Sequence, residues 1–550
     1  MKILKKRILK FFLPVIILTI FTFWKLPLTF YQQDEWLGLG QIFAQGWSHI
    51  TFGFSPIQVF FADGRPLTRV LGVLLFGNFP FNSTFLALYS VGFHLLNTFL
   101  VFLIANKILK KTWFAFISAI FFSVNSVTHQ SVTWFGASFG TQPSAFTIFL
   151  SIFLFLLYLE ENNIKFLYAS IFSALISLYF KESSIFLFVF LPLIEIIFKK
   201  NFNFKEYVKK YLPFLTFTTL FVLYRLFEMM IIRANSSGLL AGKVFANLGT
   251  EHIWQSLFVR SFMYPITSLG YIFIPLPIAL KLGYYMRALY YPFITEHSDL
   301  ISETVILDLL SFLLSFVILF SCYLIWSKFK EYRKAILFSL LLFFFSILPY
   351  IVISKTFGYL EPRYYYISSA AASIILSLLV MSLFKTFNNL MLKSTVLCIF
   401  IVLIFLNVMT IKNDINKQVI IAKERKSFIA QLYNLKPTLT KDKNIFLVEG
   451  NKPRFSDYNK APFQNGIGYT FMVLYYNSDK IPKELLSEGY LWEWDKQGYK
   501  EVEGKGFGYY YDFEELKKDL KLGRFSKDSI VSLYYDSNEK ILRLNHLEGL

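Results

Sequence analysis

The sequence predicts a mainly α-helical, polytopic membrane protein of about 11 transmembrane helices with a small C-terminal α+β domain. Three observations lead there. Of 550 residues, 55% are hydrophobic, 20% are aromatic and 66 are Phe, and the mean hydropathy is +0.50, an apolar load suited to a lipid-facing chain. The apolar residues come in long runs separated by short basic clusters. From about residue 412 those runs give way to short alternating and charged stretches.

The net charge of +19 argues for a membrane address rather than a nucleic-acid one, because of where it sits. Residues 1–411 carry 32 Lys/Arg against 16 Asp/Glu, an excess of +16, whereas 412–550 carry 23 against 20. Most of that excess lies in clusters between apolar runs, as cytoplasmic loops require. Cys322 and Cys398 fall inside apolar runs, so no disulfide framework or cysteine metal site is indicated. Lys2, Lys5, Lys6, Arg7 and Lys10 precede a long apolar run without a small-residue cleavage site, which reads as an uncleaved first span.

Placing the basic clusters inside gives the order of elements. Span one (about 8–30) leaves the cytoplasm, and residues 31–80 form an external segment with interfacial helices such as Trp36 to Trp47. Span two (about 82–106) returns to Lys107, Lys110 and Lys111. Spans three (about 112–127) and four (about 142–159) follow, then five (about 166–180), ending outside at Lys181-Glu182. Span six (about 183–198) returns to Lys199, Lys200, Lys205, Lys209 and Lys210, and span seven (about 211–231) leaves again. Residues 232–302 form an external or re-entrant loop. A single crossing at 262–280, which contains Pro265, Pro275 and Pro277, would put the basic loop Lys328 to Lys334 outside. Spans eight (about 304–326), nine (335–353), ten (364–384) and eleven (394–411) complete a domain of 1–411, with the N-terminus in and the C-terminus out.

Residues 412–550 read as an extracytoplasmic α+β domain after a linker helix at 412–435. Asn444 to Glu449 is a buried strand, Glu514 to Leu520 a short helix, and Ser529 to Tyr535 with Ile541 to Leu544 a hairpin.

Residues that could carry chemistry cluster at the outer ends of the spans. Asp34 and Glu35 follow span one, where reduced solvation suits a carboxylate acting as a base. They are equally compatible with ordinary interfacial polar residues. Asp63-Gly64-Arg65-Pro66-Leu67-Thr68 offers a turn that presents a guanidinium able to fork onto phosphate oxygens, or a snorkelling arginine at lipid headgroups. His94 and Asn97 share a helical face in span two, as cavity-lining groups or as interhelical hydrogen-bonding ones. Asn125 to Trp134 is a polar run containing His129. Lys181 and Glu182 are placed to pair with each other or with a ligand, and Glu361-Pro362-Arg363 opens span ten with a further phosphate candidate. There is no phosphate-binding P-loop, Gly-x-Ser-x-Gly elbow or His-Glu-x-x-His motif, which removes the usual signatures of ATP-driven transport, serine hydrolysis and zinc proteolysis.

Taken in order, Asp34-Glu35, Arg65-Pro66-Leu67-Thr68, Phe93 to Asn97, Asn125 to Trp134, Lys181-Glu182 and Glu361 to Ser369 resemble the GT-C glycosyltransferases. The closest group is the transmembrane and tetratricopeptide-repeat O-mannosyltransferases, with the protein O-mannosyltransferases more distant. The chain departs from them in lacking a tetratricopeptide array. It also has Pro362 directly before Arg363, and Asn125-Ser126 where that group has His-Pro.

The resemblance implies a GT-C-like membrane domain and an inverting transfer from a polyprenyl-phosphate-linked sugar on the extracytoplasmic face. Asp34 would be the base and Glu35 its helper. Arg65 and Arg363, with Lys181 beside them, would hold the donor phosphate, and Asp63, His94, Asn97, His129, Glu182 and Glu361 would line the cavity. The acceptor would be a protein, a lipid or a cell-wall glycan. No cofactor is required; no ligand spacing demands a metal, although a divalent ion could assist. Two other classes stay open: a lipid-linked-sugar flippase or glycan polymerase-like carrier, and a non-catalytic membrane scaffold.

Overall fold

The computed structural model describes residues 2–32, 34–51, 53–199, 204–235, 253–275, 278–279, 281–282, 285, 299–352, 360–451, 467–492 and 496–545. The fold is mainly helical with a small C-terminal sheet. Helix α1 (Lys2–Phe23) leads into α2 (Asp34–Gln45) and α3 (Pro66–Asn78). The bundle continues with α4 (Ser83–Leu109), α5 (Thr112–Ser123), α6 (Phe135–Glu161), α7 (Ile164–Phe180), α8 (Leu187–Phe198) and α9 (Phe204–Asn235). It closes with α10 (Ile253–Phe273), α11 (Asp299–Lys328), α12 (Arg333–Ile347), α13 (Tyr366–Thr386) and α14 (Leu390–Leu435).

Asparagines start several of these helices, because their side-chain oxygens accept the first unpaired backbone N–H groups. Asn82 accepts from Phe85 N–H at 3.0 Å, Asn163 from Lys165 at 3.1 Å and Asn389 from Met391 at 2.8 Å. Lys110 and Asn162, in the left-handed region, end α4 and α6.

Among the described residues, seven helices are long and apolar enough to cross a bilayer: Lys10–Leu28, Ser83–Leu109, Phe135–Glu161, Leu307–Lys328, Lys330–Ile351, Pro362–Thr386 and Leu390–Leu435. The sequence predicts eleven. Expected spans three and five correspond to α5 and α7, apolar helices of 12 and 17 residues, and span six to α8, 12 residues with Pro192 inside. At 1.5 Å per residue a 12-residue helix rises about 18 Å, short of a hydrocarbon layer of about 30 Å. Span seven lies within α9, whose ends carry charge. Residues 262–273 of the expected re-entrant stretch belong to α10, while 236–252 and 286–298 lie outside the described residues.

Helix α13 is the axis of the bundle. Of its most apolar window 78% is buried, against 22% for α14, so α13 faces protein while α14 lies at the periphery. Its first turns, Ser368 to Ser373, are all small and buried, which lets neighbours approach closely. Ser377 Oγ meets Ser118 Oγ of α5 at 2.7 Å. Helices α10 and α11 also cross closely, where Gly270 N–H donates to Ser315 Oγ at 2.6 Å. A Cβ on Gly270 would fall 2.0 Å from the Ser311 carbonyl oxygen.

The C-terminal sheet is mixed. Central β1 (Lys443–Gly450) runs parallel to β3 (Lys505–Tyr510) and to β4 (Ile530–Asp536). The edge strands β2 (Gly498–Val502) and β5 (Ile541–Leu544) pair antiparallel with β3 and β4, giving the order β2-β3-β1-β4-β5. The expected strand, hairpin and short helix (Phe513–Lys521) are present. The β2–β3 hairpin has no counterpart among the predicted strands. Its turn is Glu503-Gly504, both with positive φ, the pairing that two-residue hairpins favour.

The expected linker helix at 412–435 is continuous with expected span eleven as one 46-residue rod, α14. Its C-terminal half buries a stripe of Ile415, Val419, Ala422, Phe428 and Leu432, and Phe428 stacks on Phe471 of helix α15 (Ile467–Tyr475). Helix α15 rests on α2, where Tyr469 Oη donates to the Leu37 carbonyl at 3.5 Å.

Candidate functional site: a cationic recess at the ends of three helices

The recess begins with a strained turn. Pro66 disfavours the right-handed helical region for the residue before it and pre-sets the first helical φ of α3. Gly64 and Arg65 both take the left-handed region, with φ +66° and +52°. A Cβ at Gly64 would also sit 2.7 Å from the Phe54 ring, so only glycine fits there. A left-handed arginine costs on the order of 1–3 kcal/mol, and the cost is incurred at a cation. Thr68, one turn into α3, donates its hydroxyl to the Phe180 carbonyl at 2.7 Å and fixes that turn against the end of α7.

Just past α7, Lys181 is extended (φ −156°) before the short 3-10 turn Glu182–Phe186. This geometry sends the two neighbouring side chains to different partners. Arg65 Nε donates to Glu182 Oε2 at 2.7 Å and Nη2 to Oε1 at 2.6 Å. Lys181 is buried, donating to Thr141 Oγ1 at 3.1 Å, with its ammonium 5.8 and 5.5 Å from the ring centres of Tyr350 and Tyr364. Sequence expectation left Lys181 and Glu182 free to pair with each other; here Glu182 pairs with Arg65.

The third cation arrives with α13. Pro362 starts the 3-10 turn Pro362–Tyr365, and Arg363 pairs with Glu361 at 2.5 Å. The Arg363 guanidinium lies 4.7 Å from the Trp134 ring centre and 5.2 Å from that of Tyr364. Thr141, Ser183, Lys181, Tyr350, Arg363 and Tyr364 line a cavity of about 10 Å³, room for about one water.

The charges are coupled. Burial, and then the positive charge of Arg65, push the Lys181 ammonium down to about 7. Glu182 opposes that fall and Arg363 adds to it. Burial works to raise the Glu182 carboxyl, but the charge and hydrogen bonds of Arg65 outweigh it and hold it down to about 2. The glutamate in turn raises Arg65. The recess is therefore a place where two guanidinium groups and an amine converge on too little negative charge.

The acidic segment after α1 lies next to it through one ring. Glu35 is buried and accepts from Gly136 N–H at 2.9 Å, Gln32 N–H at 3.1 Å and Trp134 Nε1 at 3.3 Å. It thus sits at the positive end of α6, capping it from another part of the chain. The Arg363 guanidinium lies over the ring of the same Trp134. Asp34 is the first residue of α2, and its side chain lies outside the described residues.

The remaining candidates are placed as follows. Asp63, two residues from Arg65, turns to α9, where it pairs with Arg225 and accepts from Tyr224 Oη at 2.6 Å. His94 lies between Tyr366 Oη at 2.7 Å and the Ser123 carbonyl at 2.8 Å, to which Nε2 donates. Asn97 donates to Gln142 Oε1 at 2.8 Å and to Tyr366 Oη at 3.3 Å. Tyr366 lines the recess, so His94 and Asn97 support its floor from below. His129 lies elsewhere, bonded to the Ser126 carbonyl at 2.5 Å and to Asp414 of α14 at 2.9 Å.

Sequence reasoning missed Thr141, Tyr350 and Asp414. A Pro-Tyr pair ending an apolar run is the only local trace of Tyr350, and nothing local marks the others. Among the described residues no three His, Cys, Asp or Glu gather as a metal site. No protein-family model matches the chain, and no curated protein matches it either.

Proposed function

We propose that this chain is an integral-membrane glycosyltransferase that moves a sugar from a polyprenyl-phosphate donor to an acceptor hydroxyl on the extracytoplasmic side. The observation that carries the reading is the convergence of Arg65, Lys181 and Arg363, from three distant parts of the sequence, around one recess. Cations brought together with, among the described residues, only Glu182 and Glu361 to balance them suit a phosphate. In this proposal the long apolar helices of 1–411 cross the membrane with the N-terminus inside, and the shorter apolar helices pack among them. The 412–550 region stands outside.

A further support is spacing. Helix α6 begins beside Glu35 and Trp134 and ends at Glu160 and Glu161, a rise of about 40 Å. That length is enough to span a bilayer, and in this reading the recess lies at one face and the basic Lys107–Lys111 turn at the other.

In the proposed step, Asp34 takes the acceptor O–H proton and the acceptor oxygen attacks the anomeric carbon from the face opposite the phosphate. The carbon–oxygen bond to phosphate breaks, the electron pair leaves with the polyprenyl phosphate, and the configuration inverts. Arg65, Lys181 and Arg363 neutralise the charge gathering on the leaving oxygens. Glu35 acts as a positioning residue, holding the start of α2 against α6. A donor phosphate would take the guanidinium faces that Glu182 and Glu361 now occupy. Substrate entry therefore requires those carboxylates to swing aside.

The test is incubation of membranes holding the intact chain or Asp34→Asn with radiolabelled polyprenyl-phosphate sugars. The reading expects transfer by the intact chain and a loss of about 10²–10⁴-fold in the variant, with equal amounts of folded protein. Undiminished transfer by Asp34→Asn sinks the mechanism. Movement of donor across the bilayer without transfer would favour a carrier.

A further inference from the structure

At the end of the bundle away from the recess lies a pit of about 570 Å³, a ligand-sized space lined by five lysines and two glutamates. It forms where the ends of α4, α6, α8 and α13 meet the start of α12. Two of the lysines are neutralised, Lys107 by Glu160 and Lys385 by Glu331. Lys334 donates to the Phe198 carbonyl at 3.0 Å, and Lys110 and Lys111 are exposed without an ion pair among the described residues. That leaves three positive charges uncompensated by carboxylates. Below them the lining is apolar, with Leu109, Leu156, Leu159 and Met381.

Helix C-termini account for some basic residues, since their carbonyls carry partial negative charge. They do not account for a hollow this size, with its charge at the rim and its floor apolar.

We infer that this pit is a binding site for one anionic phospholipid. The ammonium groups of Lys110, Lys111 and Lys334 take the phosphodiester, and the apolar floor takes the upper acyl chains. Basic pockets between transmembrane helices on the cytoplasmic side suit such headgroups. The inference rests on the membrane-spanning reading and is independent of sugar transfer, because no residue of the recess takes part.

The full chain, purified in detergent and mixed with phosphatidylglycerol or phosphatidylcholine, is examined by native mass spectrometry. The expected result is one phosphatidylglycerol retained per chain, at least tenfold in preference to phosphatidylcholine. The preference disappears in Lys110→Gln/Lys111→Gln/Lys334→Gln and survives when the same three become arginine. It also survives in Lys165→Gln/Lys205→Gln/Lys209→Gln, which removes equal charge outside the pit. Retention of the lipid by the pit variant, equal loss in the control variant, or displacement of the lipid by millimolar inorganic phosphate would each overturn the assignment.

Discussion

Arg65 and Glu182, 117 residues apart in sequence, share two parallel hydrogen bonds of 2.7 and 2.6 Å at the mouth of the cationic recess. Their side chains remain 48% and 38% exposed, so water screens the pair. Pairs in such surroundings contribute about 0.2–1 kcal/mol to stability. Arg65→Ala should therefore lower the melting temperature by only a few degrees. In the proposed transfer reaction its effect should be far larger, raising KM for the lipid-phosphate donor at least tenfold, because charge-assisted bonds to phosphate contribute about 1.5–3 kcal/mol. Thermal unfolding and donor titration on the same preparation separate the two effects.

Lys181 gives the site a pH dependence. Its folded-state value, about 7, lies below the ordinary lysine value, so the fold disfavours the charged amine. Between about 7 and the ordinary value the unfolded chain holds the extra proton, and stability rises with pH across that window. Under the proposed function, donor binding runs the other way. The ammonium that attracts phosphate is present below about pH 7 and is lost as pH rises through it. Donor affinity measured from pH 5.5 to 8.5 should fall across neutrality in the intact chain and lose that step in Lys181→Met.

Glu35 should behave as a structural group. Its carboxylate accepts from two backbone N–H groups and an indole at the start of α6. Glu35→Gln substitutes a neutral amide for an acceptor-only group and should cost about 1–3 kcal/mol of stability. Asp34→Asn, at the proposed base, should instead cost transfer activity while the variant keeps its fold. Denaturation of the two variants side by side checks the division of roles.

Gly270 should be the least replaceable glycine of the bundle. A methyl group there collides with the Ser311 backbone and the Ser315 hydroxyl, both fixed in α11. Overpacking of this kind costs about 1–3 kcal/mol. Gly270→Ala should therefore reduce the yield of monodisperse protein, and Gly92→Ala, which meets open space, should not.

How much of this was legible in the sequence depends on the range of the interaction. Apolar run length and basic clusters speak to local order, and they located the long helices and the texture change near 412. Arg65, Lys181 and Arg363 stand out in the sequence because each lies at an abrupt polar break in an apolar chain. Their partners were not visible. Asp63 and Arg65 lie two residues apart and look like one motif, yet Arg65 turns to Glu182 and Asp63 to Arg225. Helical periodicity says which face a residue occupies but not which helix stands opposite. The same blindness hid Asp414, whose contact with His129 spans 285 residues. Four of the eleven expected spans became helices outside the long apolar class because hydropathy counts residues without regard to where polar turns or prolines interrupt the helix.

The 46-residue helix α14 carries one more implication. A rod of about 69 Å neither stretches nor folds, and each added residue lifts whatever rides on it by about 1.5 Å while rotating it by about 100°. The altitude and compass bearing of the β-sheet relative to the helical bundle are therefore geared together. A single inserted residue would swing α15 off its seat on α2, whereas a loop at the same point would absorb it. The cap behaves like a turret on a fixed mast, and its aim toward the acidic segment is set by the number of residues in that mast.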